Sequence, residues 1–528
     1  MGLLMKTTSC INIIKKITFL MLFSTTALAG WEISDDGATI TDGNWTLGVQ
    51  PTTVSTLRGD VTGLKLTSYT EGEGTLDFSS IVSDTGSDAN AIVSIGTRVF
   101  SYRGISAAAG THTLTNLIAP DCLNVDEYAF LHRTNLVQVT LSDYVAVINT
   151  WAFYGTTKMV RFHPTKMLGI ETIGSKAFGG CVSLLGDFDF GPIKSLSDIF
   201  NTNSSGQPTA SGITSVIATN VISISAKFHP KGNQITNIIL NPAIQTIGNS
   251  PFGYLNSCRN FSPNVFTNLT SLGDSMLNYA PLTDCPTDFV FPLLTVLPQG
   301  LASRSGVTSI TATNAVEIGA YLCHGCSTVT SVVANVNCNI VGARAFESAS
   351  KLVYLYPFLG KGLSHDFGTR GNNQPNNNNN NTFNGCSSIA LPLLIQSTNL
   401  VKLVYNSFQS CINLSDITID APIATLASRS LSKISPNAVI KWVQGVAPVI
   451  EANTIFGNGN KRIIISLTTT PALNAWANSG LYTPVSELTT ELDYADFPGR
   501  RTLGLISSNG NLAWVIDGRE KATTFTIF

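Results

Sequence analysis

Between Phe130 and Leu431 the chain keeps returning to one short pattern. Its fullest copy is Ile173-Gly174-Ser175-Lys176-Ala177-Phe178-Gly179-Gly180-Cys181-Val182-Ser183-Leu184. The same pattern recurs in Ile318-Gly319-Ala320-Tyr321-Leu322-Cys323-His324-Gly325-Cys326 and in Ile340-Val341-Gly342-Ala343-Arg344-Ala345-Phe346. With the aromatic as marker, the run is Phe130, Phe153, Phe178, Phe200, Phe228, Phe252, Leu277, Ala302, Cys323, Phe346, Phe383, Phe408 and Leu431, most of them 22 to 25 residues apart. A fixed period of that size confines a chain to a stack of identical supersecondary units.

One period can be read physically. Three residues after the marker comes a small slot, filled by Cys at Cys181, Cys326, Cys386 and Cys411, and six after it a Leu slot. An alternating segment follows, as in Leu136-Val137-Gln138-Val139-Thr140-Leu141. Such alternation, rich in β-branched residues, is a half-buried strand. The Ile-Gly half turns the chain, and the Ala-Phe-x-x-Cys half reads as a single short helical or 3₁₀ turn. No unit can bury its apolar face alone. Stacking sets each strand beside its equivalent in a parallel sheet and makes the slots into continuous ladders. The expected repeat core is therefore Phe130, Phe153, Phe178, Cys181, Phe252, Cys326, Phe346, Phe383, Cys386, Phe408 and Cys411.

The pattern Ile-Gly-x-x-Ala-Phe-x-x-Cys-x-x-Leu-x-x-Ile-x-Leu resembles the BspA-type leucine-rich repeat family, over residues 95–446. The resemblance implies an α/β repeat solenoid, a leucine-rich-repeat right-handed superhelix with a parallel β-sheet. It also implies a secreted or surface protein that works by adhesion or interaction with other macromolecules. Units between Phe178 and Phe252 and around Leu277 to Ala302 match the pattern poorly.

The flanks carry separate signals. Lys6, Lys15 and Lys16 precede the apolar run Ile17–Phe23, and Ala27-Leu28-Ala29 stands before Gly30. A charged region, a short apolar stretch and a small-x-small site make residues 1–29 a signal peptide, too short an apolar run to span a bilayer. Residues 30–94 read as a β-rich N-terminal cap that opens with an Asp-Gly hairpin over Trp31–Ile40. The step from Phe346 to Phe383 holds an insertion, about 358–381, that contains an Asn tract with no means of building a core. Residues 447–528 read as a closing repeat unit and a C-terminal β module.

Charged residues make up 12% of the chain, with 31 Lys and Arg against 33 Asp and Glu. A weakly acidic surface lacks the clustered cations that phosphate neutralisation needs, so no nucleic-acid partner is expected. No transmembrane segment is expected after signal removal, because no second apolar run has spanning length. In an exported chain, cysteines suggest disulfides, yet these recur at one repeat slot, which suits small buried thiols.

The motifs that could carry chemistry fall on repeat slots or turns. Cys323-His324-Gly325-Cys326 has the Cys-x-x-Cys spacing of redox and metal sites, but both cysteines fill repeat slots and no second ligand pair follows. Asp35, Asp36 and Asp42 match no calcium loop and are explained by Asp-Gly turns. The tail carboxylates Glu487, Glu491, Asp493, Asp496, Asp517 and Glu520 frame no acid–base pair. No catalytic residue, metal site or cofactor is expected. What remains is the outward face of the strands, where Arg161, His163, Tyr354 and Tyr356 are the candidate binding residues. The expected partner is an extracellular or cell-surface macromolecule, protein or glycan. The alternatives are a structural envelope component without a specific ligand and a carbohydrate-active enzyme.

Overall fold

The structure is a computed structural model. It describes residues 30–356 and 381–450, apart from 102–113, 201–211, 226–234, 253–254, 256, 263–265, 283–286, 339, 391, 397–401, 436 and 446. Beyond 450 it describes 462–467, 469, 471–472, 475, 502–506 and 512–517. The signal peptide, the marker Phe228 and the Asn tract up to Asn380 lie outside the described residues. The chain forms two compact units, Met1–Leu184 and Leu185–Phe528, and each is considered by itself.

In the first unit every repeat supplies a long strand, a short strand and a corner. The long strands Gly74–Asp77, Leu114–Ala119, Gln138–Leu141 and Arg161–His163 make one parallel sheet. The short strands Ile92–Ile95, Asn124–Val125, Val147–Ile148 and Thr172–Ile173 make a second. Alternation along Gln138–Leu141 buries Val139 and Leu141 and turns Gln138 and Thr140 outward, as a period of two requires. The period therefore folds as the parallel solenoid expected.

The corner carries the marker, and it is not helical. Backbone N–H groups of Trp151, Phe153 and Gly155 donate to the carbonyls of Ser175, Ala177 and Gly179 in the next repeat, at 3.1, 2.8 and 2.8 Å. Tyr128, Phe130 and His132 donate in the same way to Thr150, Ala152 and Tyr154. Residues two before and two after the marker are left-handed: Tyr128 and His132 (φ 59° and 57°), Trp151 and Gly155 (60° and 74°), Lys176 and Gly180 (55° and 75°). A left-handed residue at every fourth position cannot extend an α or 3₁₀ helix. The short helical turn read from the sequence is thus replaced by a third hydrogen-bonded ladder. Regular helix among the described residues of this unit is limited to Ile81–Thr85 and Asp88–Asn90.

Flanked by two left-handed residues, each marker ring points inward and stacks on its equivalents. Centroid separations are 5.2 Å for Phe100–Phe130, 5.1 Å for Phe130–Phe153 and 5.5 Å for Phe153–Phe178, with planes within 13° of parallel. Phe100 is a marker that the degenerate copy Ile95-Gly96-Thr97-Arg98-Val99-Phe100 conceals. Tyr69 stacks on it at 5.3 Å and Trp45 meets it edge-on at 6.4 Å, so two aromatics from residues 30–94 close the ladder. The same N-terminal stretch pairs antiparallel through Glu32–Ile33, Thr39–Thr41, Thr46–Thr56 and Gly59–Glu71. Leu64–Leu66 then joins Ile92–Ile95 in parallel and covers the edge of the short-strand sheet.

In the second unit the long strands fall into three runs, which begin at Leu185–Asp189, Asp288–Val290 and Leu393–Gln396. Phe346 and Phe383, far apart in sequence, stack at 5.3 Å and Phe383 and Phe408 at 5.1 Å, so the insertion leaves the ladder continuous. The strand Leu512–Asp517 adds in parallel to Arg462–Leu467 and pairs antiparallel with Thr502–Ile506.

The small slot explains its cysteines. Cys181 Sγ donates to Phe153 O at 3.3 Å, Cys386 Sγ to Phe346 O at 3.0 Å and Cys411 Sγ to Phe383 O at 3.1 Å. Each thiol thus ties its corner to the marker carbonyl of the preceding repeat. Cys122, Cys181, Cys258, Cys323, Cys326, Cys338, Cys386 and Cys411 are all buried, and none of them is paired in a disulfide. Burial pushes the Cys181 and Cys411 thiols up to about 12, so they stay protonated and unreactive at neutral pH. At pH 8 a thiol reagent should leave these eight unlabelled in the native chain and label all eight after unfolding without reductant, read residue by residue by peptide mass mapping. Joint loss of label at Cys386 and Cys411 would place a bridge between them in the protein.

Candidate functional site

The long-strand sheets present outward rows in which equivalent residues stand side by side. In the first unit one row runs Thr75, Asn116, Gln138, Arg161 and the next Asp77, Ile118, Thr140, His163. Arg161 and His163 are exposed either side of buried Phe162, and His163 Nε2 lies 3.3 Å from Asp143 Oδ1. In the second unit, Asp288, Ser309, Ser331 and Tyr354 form one row, and Val290, Thr311, Val333 and Tyr356 form another. Tyr354 is 43% exposed; Tyr356 is half-buried. The two pairs of candidate binding residues thus belong to different units.

These rows are mostly short polar side chains bonded to one another. Thr308 Oγ1 and Ser309 Oγ donate to Asp288 Oδ1 at 2.9 and 2.7 Å. Asn260 Nδ2 donates to Asn237 Oδ1 at 2.7 Å, and Asn237 Nδ2 to Ser215 Oγ at 2.9 Å. Such ladders leave a smooth polar surface with little fixed charge.

The corner of the first unit differs. Its left-handed residues project between the stacked turns and bring Arg98, Tyr128, Trp151 and Lys176 into one line. Arg98 lies over the Tyr128 ring at 4.8 Å and Lys176 over the Trp151 ring at 5.1 Å. Tyr128 and Trp151 are 6.0 Å apart, and Tyr154 packs on Trp151 at 4.3 Å. His132 meets Tyr154 edge-on at 5.5 Å. Its imidazole passes so close to Gly155 that a Cβ there would strike it. The three large rings are half-buried, with cations at both ends. Sequence reading missed this ridge. Its only signal is a large side chain at the unassigned position two before the marker, in Tyr128-Ala129-Phe130 and Trp151-Ala152-Phe153.

The motifs with chemical overtones resolve into structure. Cys323 and Cys326 are fully buried, and Cys326 Sγ donates to Ser305 O at 3.1 Å. Between them His324 faces outward, with Nε2 3.4 Å from Glu347 Oε2. Asn381 Nδ2 donates to Glu347 Oε1 at 2.7 Å, and Arg344 Nε lies 3.7 Å from Oε2. Burial acts to raise the Glu347 carboxyl, but the hydrogen bonds from His324 and Asn381 and the Arg344 charge outweigh it and hold it below 4.5. His324 therefore serves a carboxylate. Among the described residues no three of His, Cys, Asp and Glu converge as a metal cluster would. Asp36 Oδ1 accepts from Ser34 Oγ and Ala38 N, and Asp42 Oδ1 from Asn44 N and Trp45 N, so both act as turn caps.

The family described as BspA type leucine rich repeat region matches residues 102–202, 210–295, 295–356 and 372–465. A leucine-rich repeat protein from Bacteroides ovatus ATCC 8483 aligns at 16% identity over 78% of this chain and 97% of that one, with a TM-score of 0.44. A leucine rich cell surface protein from Faecalibacterium prausnitzii A2-165 aligns at 16% identity over 76% and 94%, with a TM-score of 0.26. No curated protein matches the chain. Among the described residues no helix is long and apolar enough to cross a membrane.

Proposed function

We propose that this chain, which belongs to the BspA-type leucine-rich repeat family, is a non-enzymatic secreted or cell-surface protein that mediates adhesion or protein–protein interaction. The partner is an extracellular macromolecule, protein or glycan, held against the outer faces of the solenoid. Repeat solenoids present extended surfaces of this kind.

The observation that carries the reading is the ridge Arg98–Tyr128–Trp151–Lys176 with Tyr154. Aromatic residues and Arg are over-represented where proteins bind one another, and few of them supply most of the energy. Here the rings are partly exposed, yet the backbone that carries them is hydrogen-bonded to neighbouring repeats, so little freedom is lost on binding. Arg161, His163, Tyr354 and Tyr356 add contacts from the long-strand faces.

The test is binding of the purified chain to immobilised extracellular-matrix proteins and to intact cells, measured to saturation. Trp151→Ala with Tyr154→Ala should weaken saturable binding by about 30-fold, as expected of a hot-spot pair. Arg161→Ala with His163→Ala should change it by less. Absence of saturable binding would favour an envelope component without a specific ligand, and binding indifferent to Trp151 and Tyr154 would move the site off the ridge.

A further inference from the structure

The antiparallel ribbon of Thr46–Thr56 and Gly59–Glu71 is much longer than its role at the sheet edge requires. Only Leu64–Leu66 pairs with the first repeat, while Val54 to Val61 and the tip run on beyond that pairing. That hairpin lies over the turns of successive repeats in the first unit. Its tip is held at two points. Leu57 N donates to Glu171 Oε1 at 2.7 Å, and the Arg58 guanidinium sits 3.6 Å above the Tyr144 ring.

Beneath this strap is a cavity of about 550 Å³, lined among others by Arg58, Val61, Asp88, Asp121, Leu123 and Tyr144. Val54, Ala91, Val93 and Leu123 form a buried apolar cluster there, with Val82 packed against it. The volume falls in the ~300–1,000 Å³ of small-molecule sites, and an apolar base with a few converging polar groups is their usual composition. The strap's Thr56 and Thr62 and the repeat's Ser142 add hydroxyls to the wall.

We propose that this strap-covered cavity binds a neutral saccharide of one or two rings. The charges select for it. Asp88 and Asp121 are exposed carboxylates with no ion-pair partner among the described residues, and they repel an anion. Arg58, across the cavity, disfavours a cation. A neutral ligand rich in hydroxyls suits both sides, because a hydroxyl donates to a carboxylate and accepts from a guanidinium. The C–H face of a sugar ring can meanwhile rest on Val61, Val82 and Leu123. The proposal concerns a different surface from the aromatic ridge and does not depend on the macromolecular reading.

Calorimetric titration of the full chain with maltose, cellobiose, lactose and sucrose tests it, with spermidine and glucuronate as cationic and anionic comparators. At least one neutral disaccharide should bind saturably at one site per chain. Asp88→Ala and Asp121→Ala should each weaken that binding about tenfold without moving the thermal midpoint, because both side chains are exposed. Glu171→Ala, which frees the strap tip, should weaken it as well. The proposal falls if no neutral disaccharide saturates, if spermidine or glucuronate binds more tightly than every disaccharide, or if both aspartate variants bind like the parent.

Discussion

Phe153→Ala is expected to cost about 3–5 kcal/mol, the range for deleting a buried phenylalanine. The ring is fully buried and stacked on both sides, 5.1 Å from Phe130 and 5.5 Å from Phe178, with Phe162 edge-on at 5.6 Å. No neighbour can collapse into the vacated space without leaving its own stack, so the cavity contribution stays near its maximum. The stability of a solenoid is close to a sum over units and their interfaces. The loss should therefore appear locally, as faster hydrogen exchange at the corner amides of Phe130 and Phe153, before it lowers the urea midpoint of the whole chain. Unchanged exchange at those amides together with an unchanged midpoint would refute the ladder as a source of stability.

The aromatic period made that ladder readable in the sequence, because a buried ring is a large side chain at a fixed spacing. The long strands were equally readable, since alternation fixes which side chains face inward. The corner was not. Tyr, Trp, Lys and Arg have no intrinsic preference for the left-handed region, and nothing in Trp151 or Lys176 announces it. Their conformation is imposed by the hydrogen bonds to the next repeat, which over-determine a backbone that would otherwise be strained. The aromatic ridge went unread for the same reason, as it exists only once those residues are turned outward. The strap is invisible for another. Leu57 and Glu171 meet across more than a hundred residues, and no periodicity relates them.

Gly342→Ala is expected to cost about 3 kcal/mol, at the upper end for overpacking, and to exceed Gly37→Ala by a wide margin. The sequence suggests that the glycine of the Ile-Gly slot, which Val341-Gly342 fills in this copy, is there to turn the chain. The geometry gives a different reason. A Cβ on Gly342 would strike Ala320 N and stand 2.6 Å from Ala320 Cα and Gly319 C, all backbone of the preceding repeat. Gly174 has the same relation to Asn149 and Thr150. Backbone cannot rotate away as a side chain can, so the added methyl must separate two turns. That separation would weaken the bonds from Gly342 N to Ile318 O, at 2.8 Å, and from Tyr321 N to Ala343 O, at 2.9 Å. Gly37 is the control, because it is left-handed at φ 67° with nothing within 4 Å of its Cβ position, and alanine there should cost only the ~1 kcal/mol of backbone strain. Urea midpoints of the two variants decide between the explanations. A larger loss at Gly37 would restore conformational freedom as the reason for glycine. A larger loss at Gly342 makes this glycine slot, filled by Gly174 in the Ile173-Gly174 pair, the point where successive turns of the solenoid touch backbone to backbone.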